Sequence, residues 1–155
     1  MSRRHLLAVA VALATMIAAL GQPLWIRTTG ADVALALQPV DPLSLFRGNY
    51  VDLTYDVRAD VPSRLDRGDP AYVVFDDARP ATALRVESSR PTLGPGETCI
   101  RGEFVFGDRI SFPALEQYFV TPEEGSRLER ELSGMVGIVR TTGSCRAILV
   151  RIEPR

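Results

Sequence analysis

The chain has 155 residues, with 18 basic and 19 acidic side chains, one histidine and a net charge of −1. A charge balance this even carries no electrostatic footprint for nucleic acid or an acidic membrane surface. Apart from His5, every basic residue is an arginine, which excludes a Schiff-base lysine, a phosphate-loop lysine and a Ser–Lys dyad.

The first element is apolar. Arg3, Arg4 and His5 precede an uncharged run over residues 6–26, which stops at Arg27. As a helix this run reaches roughly 31 Å, enough to cross a bilayer core. Trp25 and Arg27 fit an interfacial anchor and a stop, and Arg3 and Arg4 favour a cytoplasmic amino terminus. The competing reading is a cleaved signal peptide with its apolar region over residues 6–20 and a small-x-small site at Ala19-Leu20-Gly21. A helix ending at Leu20 would reach only about 22 Å. Both readings divide the chain into a membrane segment, residues 1–27, and an exported domain, residues 28–155. The expected place is therefore the cell membrane, single-pass, with the carboxy-terminal domain extracytoplasmic. No polar stripe interrupts the run, which argues against a buried soluble helix. Export also strands His5 on the far side, so the domain can hold no Ser–His–Asp or Cys–His site and no histidine-bearing zinc site.

The domain reads mostly as short strands. Residues 33–37 alternate weakly, Asp41-Pro42 breaks them, and residues 43–46 suit one helical turn. Residues 50–57 alternate cleanly: Val51, Leu53, Tyr55 and Val57 share one face, and Tyr50, Asp52, Thr54 and Asp56 the other. Residues 58–70, rich in charge and proline, form a surface loop. Strands follow at 72–75 and 83–86 around a turn at 76–80, then a proline- and glycine-rich loop at 90–97. Residues 99–106 alternate as a strand, and 111–120 are ambiguous. Residues 123–132 make the best helix, ending near Gly134. Residues 135–139 and 145–152 close a hairpin around Thr141-Thr142-Gly143-Ser144. Seven or eight short strands predict a mainly β fold, with a small α+β fold as the alternative: a compact β-sandwich or open barrel with one short helix.

Cys99 and Cys145 both fall in the exported part and allow only one pairing. In an oxidising compartment a disulfide is the default. Its closed loop contributes about 4 kcal/mol on the chain-entropy account. Two free buried thiols are the alternative.

Gly48-Asn49-Tyr50-Val51-Asp52-Leu53-Thr54-Tyr55 is the most specific string. Together with Asp41-Pro42-Leu43-Ser44-Leu45-Phe46-Arg47 before it, and Leu115-Glu116-Gln117-Tyr118-Phe119-Val120 later, it resembles the GDYXXLXY protein family. The likeness extends over essentially the whole chain. It implies a bacterial protein with one amino-terminal membrane segment, and it implies no particular activity. Asn49 stands where the family string has aspartate. A turn tolerates that exchange, because either side chain caps it; a catalytic carboxylate does not.

The string divides by role. Leu53 and Tyr55 read as core packing, and Gly48 supplies a backbone geometry that other residues resist. Arg47 can clamp a carboxylate or phosphate bidentately or serve an ordinary ion pair. Asp52 and Asp56, roughly 13 Å apart along a strand, are too far apart for a glycosidase pair. Asp76-Asp77 and Glu123-Glu124 read as solvated turns, and no calcium loop is present. Tyr118 and Phe119 form either an exposed aromatic lip or a pair half-buried under a turn.

No catalytic residue, cofactor or metal ligand is expected. The leading expectation is a non-catalytic module, tethered through residues 6–26, that binds a membrane or envelope protein or another envelope component. The alternatives are a carboxylate-dependent, metal-assisted envelope hydrolase and a structural subunit docked through its alanine-rich helix.

Overall fold

The structure is a computed structural model that describes residues 3–38 and 50–155. Helix α1 spans Arg3–Thr29 and passes Pro23 without stopping. The helix therefore does not end at Leu20. At 1.5 Å per residue α1 is about 40 Å long. His5–Thr29 is long and apolar enough to cross a membrane, and the rest of the protein covers none of its most apolar stretch. The hydroxyls of Thr15, Thr28 and Thr29 all donate back to carbonyls of α1 itself. In an apolar surround that spares each an unpaired polar group.

Gly30 alone separates α1 from β1 (Ala31–Gln38). The remaining elements are β2 (Tyr50–Asp52), β3 (Thr54–Tyr55), β4 (Pro70–Phe75), β5 (Ala83–Glu87), β6 (Thr98–Phe106), β7 (Arg109–Ser111) and β8 (Gln117–Phe119), then α2 (Pro122–Glu131), a 3-10 turn (Leu132–Gly134), β9 (Met135–Thr141) and β10 (Ala147–Pro154). One four-stranded sheet runs β10-β9-β1-β3, the other β5-β4-β6-β7, and β2-β8 is a two-stranded ribbon. Every pairing is antiparallel. The fold is mainly β, with one short helix in the domain.

The largest core cluster joins these sheets. Val33, Leu35 and Leu37 of β1 meet Ala71, Val73 and Phe75 of β4, with Ile100, Phe112 and Leu115 between. Ala34, Val136 and Ile138 bury the opposite face of the β1–β9 pair. β9 is thus covered on both faces, which explains its unbroken apolar run where alternation would be expected.

Several expectations need correction. The described residues contain ten strands, more than seven or eight, partly because the run over 50–57 is not one strand. β2 pairs with β8 and β3 with β1, and between them the Leu53 N–H donates to the Glu116 carbonyl at 2.7 Å. The chain changes sheets at Leu53 while its inward face stays the same. The ambiguous stretch 111–120 ends β7 and forms β8. Cys145 opens no strand: it sits in the turn before β10 with a left-handed φ of 60°. That turn is fastened by Cys145 N–H to Thr142 O and by Arg101 N–H to Cys145 O, both at 2.8 Å. The disulfide itself is present, joining Cys99 to Cys145 with their Cα atoms 4.8 Å apart.

Candidate functional site

Two places gather polar chemistry. The first is a cleft of about 450 Å³ alongside β3. The outward side of the motif strand forms one wall, with Asp52, Thr54 and Asp56. Asp108, Arg109 and Ser111 around the β6–β7 turn, with Glu116, form the other. Four carboxylates therefore face one cavity, but two are held by neighbours. Asp56 accepts from Gln38 Nε2 at 3.0 Å and Arg58 Nε at 2.9 Å. Glu116 accepts from Ser111 Oγ at 2.6 Å and from the Phe112 N–H at 2.9 Å. Among the described residues no three His, Cys, Asp or Glu side chains group closely enough to hold a metal ion.

Behind this cleft stands Tyr55. Its ring packs edge-on against Phe112, centroids 6.0 Å apart. Its hydroxyl donates to the Leu115 carbonyl at 2.7 Å. Burial, and secondarily the Glu116 charge, push the phenol well above its ordinary 10. Gly137 leaves room for the ring: a Cβ there would lie 3.2 Å from Tyr55 Cε1. Tyr55 thus ties β3, the segment before β8 and β9 together. Val51 and Leu53 are buried on the same side, and Val57 packs half-buried against the same core.

The other motif residues divide. Tyr50 opens β2 opposite Phe119. Arg47, Gly48 and Asn49, with the helical turn expected at 43–46, lie outside the described residues. Tyr118 packs half-buried against the core while Phe119 is 77% exposed, so the two do not form a common lip, and neither lines the cleft.

The second place is the junction of α1 with the domain. Arg140 of β9 donates from Nε to Asp32 Oδ1 at 2.6 Å and from Nη1 to the Arg27 carbonyl at 2.5 Å. That bond from Arg140 holds the Asp32 carboxyl below its ordinary 3.8. The Gly30 N–H closes the helix on the Ile26 carbonyl at 3.0 Å. A Cβ on Gly30 would meet Arg140 Cγ at 2.5 Å, Ile26 O at 2.6 Å and Thr141 O at 2.8 Å. Ile26 is buried here although its helical neighbours are exposed. The carbonyls that end a helix are normally left without partners; here an arginine 113 residues away takes one.

Beside the junction lies a smaller cleft, about 340 Å³, between Trp25 and Thr29 of α1 and Leu93, Thr98, Cys99 and Gly143 of the domain. Sequence reasoning finds neither the junction nor this cleft, since both depend on distant chain segments. It also reads Glu123-Glu124 as a solvated turn, whereas both stand in the first turn of α2 and Glu124 forms a capping box with Thr121. The Thr-x-x-Glu spacing is a signal that identifies it.

No curated protein and no solved structure matches the chain. The family model described as GDYXXLXY protein matches residues 12–152, from within the apolar helix through the motif strand and into β10. The chain belongs to the GDYXXLXY family.

Proposed function

We propose that the protein is a membrane-tethered, envelope-facing, non-catalytic module that docks a partner protein or another envelope component. One observation carries this reading. α1 is uncharged over residues 6–26, its most apolar stretch is uncovered by the domain, and its last turn is fastened to β1 and β9 with one glycine between helix and strand. A flexible linker would let a domain sample the space around its anchor. A fastened helix instead presents the same face of the domain at a constant height and angle. That suits positioned docking.

The carboxylate-lined cleft favours a second reading, an envelope hydrolase. It is the weaker of the two, because Asp56 and Glu116 are already engaged in bonds that hold the walls of the cleft. Asp52→Asn with Asp108→Asn separates them. A docking module keeps its partner in mild-detergent co-purification when both carboxylates go, whereas a hydrolase loses turnover of envelope glycans or phosphoesters.

The tether is tested by reporter fusions at residue 155 and by amino-terminal sequencing of protein from the membrane fraction. An extracytoplasmic carboxy terminus on an uncleaved chain supports it. A cytoplasmic reporter signal overturns it, and a mature chain beginning at Gln22 replaces the anchor with a cleaved signal.

A further inference from the structure

We propose that the cleft between α1 and the domain binds one anionic membrane phospholipid, an acyl chain lying against Trp25 and Leu93 and the phosphate at Arg90. The inference rests on the tether described above, and it adds a ligand site that the tether does not require.

The position of the cleft names its occupant. One wall is the helix itself, at Trp25 and Thr29, one turn apart on the same face. Trp25 is 65% exposed and lies at the end of the apolar run, the depth at which tryptophan marks the membrane interface. The helix surface continues from the cleft without a charged residue down to Leu6, with Thr15 and Gln22 as its polar side chains. Whatever covers that surface also reaches the mouth of the cleft, and in a membrane that is lipid. Opposite Trp25 the walls are apolar or neutral, formed by Leu93, Ala31 and the half-cystine Cys99. The one carboxylate in the lining, Glu97, is neutralised by Arg85 at 2.5 and 2.9 Å.

Two further observations fit a lipid rather than a wholly apolar guest. Arg90 reaches the rim, donating from Nε and Nη2 to the Gly143 carbonyl at 3.1 and 2.7 Å. It has no carboxylate partner among the described residues, so its remaining donors are open to a phosphate oxygen. Thr98 lines the cleft, and its hydroxyl is the buried side-chain polar atom left without a hydrogen-bond partner among the described residues. Such orphans are costly and call for a partner. The ester carbonyl of a glycerolipid supplies an acceptor at the point where headgroup gives way to chain.

The experiment uses the full chain in nanodiscs of equal parts phosphatidylglycerol and phosphatidylcholine, released into mild detergent and weighed by native mass spectrometry. The expected result is one retained phosphatidylglycerol per chain. Arg90→Gln should weaken retention about tenfold, the worth of one charge-assisted hydrogen bond. Ala31→Trp, which fills the mouth from an exposed position, should abolish it. Both variants should remain in the membrane fraction with the disulfide formed. Thr98→Val, a near-isostere, should lower retention without displacing the chain from the membrane. A wild-type chain that stays in the membrane yet retains no lipid overturns the site and leaves the tether standing. Equal retention of both lipids, unchanged by Arg90→Gln and Ala31→Trp, identifies unspecific annular lipid and overturns it as well. A peptide in place of lipid makes the cleft a protein-docking site, with the same consequence. A chain missing from the membrane fraction overturns the tether and this site together.

Discussion

The motif strand and the helix junction hold the molecule together by opposite means. Around Tyr55 the contacts are buried and apolar, with one neutral hydrogen bond to Leu115. Around Arg140 they are exposed and charged, and depend on the missing side chain of Gly30. Buried apolar contact stabilises strongly and is indifferent to salt. Exposed ion pairs contribute little stability but fix geometry. The difference points to a division of labour, in which the motif strand keeps the domain folded and the junction sets its attitude to α1.

The largest expected effect tests the first half of that division. Tyr55→Ala removes an aromatic ring from the meeting point of the sheets and leaves the Leu115 carbonyl unpaired. Truncations of this kind cost about 3–5 kcal/mol, and the orphaned carbonyl adds about 1 kcal/mol. Denaturant unfolding in detergent should show a loss of this size. A variant that folds with wild-type stability but loses its partner would turn the strand into a binding surface and dissolve the contrast.

The disulfide is next. Cys99→Ser with Cys145→Ser opens a loop of 46 residues and should cost about 4 kcal/mol by chain entropy. Reducing agent should lower the unfolding midpoint of the wild type and leave that of the double variant unchanged. No change in the wild type would mean that Arg101, Thr142 and Thr141 hold the β9–β10 turn unaided.

These two regions also differ in how plainly the sequence shows them. Alternation at Val51, Leu53, Tyr55 and Val57 marks the inward face, because side-chain direction in extended chain is a local property. Which sheet each half of that run joins is not local. The switch at Leu53 depends on β8, whose residues fit no single period, and on β1, reached only after the intervening segment. Cysteine arithmetic gives the bridge because two cysteines permit one pairing. It cannot place Cys145 in a turn rather than a strand, since the turn signals stop at Ser144 while the turn runs on to Arg146. The junction is invisible for a different reason. Gly30 looks like any loop glycine until Arg140 and Thr141 are brought against it. The carboxylate cleft shares that opacity: Asp108 reaches Asp52 and Asp56 through the β6–β7 turn, and Glu116 through the segment before β8.

Gly30→Ala tests the junction alone. Its added methyl meets two carbonyl oxygens and Arg140 Cγ at or below 2.8 Å, so backbone must move. Overpacking of this sort costs about 1–3 kcal/mol. The more telling readout is geometric: spin labels on α1 and β10 should show a broadened distance distribution while the domain's own unfolding stays cooperative. An unchanged distribution would mean that the fastening at Gly30 does not set the domain's attitude.

Alkaline pH separates the regions next. Tyr55 is neutral in the folded state at pH values where it ionises once unfolded, because its burial raises the phenol above 10. A group of this kind contributes stability that is complete below pH 10 and is lost as pH rises beyond it. Between pH 10 and the folded value the loss is about 1.4 kcal/mol per pH unit. Tyr55→Phe should flatten the alkaline limb relative to wild type by that slope. Equal slopes would mean that the hydroxyl is not sequestered from water.

Acid pH gives the smallest effect and acts on the junction. The Arg140 bond lowers the Asp32 carboxyl below 3.8, so its contribution is complete above pH 3.8 and fades as pH falls through the folded value. Other carboxylates titrate nearby, Glu97 at about 2 beside Arg85, so the comparison must be with Asp32→Asn. That variant should match the wild type in thermal midpoint at low pH and fall slightly below it at neutrality, by less than any change above. Salt should erase the neutral-pH gap, because the pair is exposed and screened. The alkaline slope from Tyr55 should survive the same salt. If both differences respond alike, the contrast between a sealed core contact and an open polar fastening does not hold. If only the acid difference is salt-sensitive, the attitude of α1 is set by charges the domain can lose without unfolding.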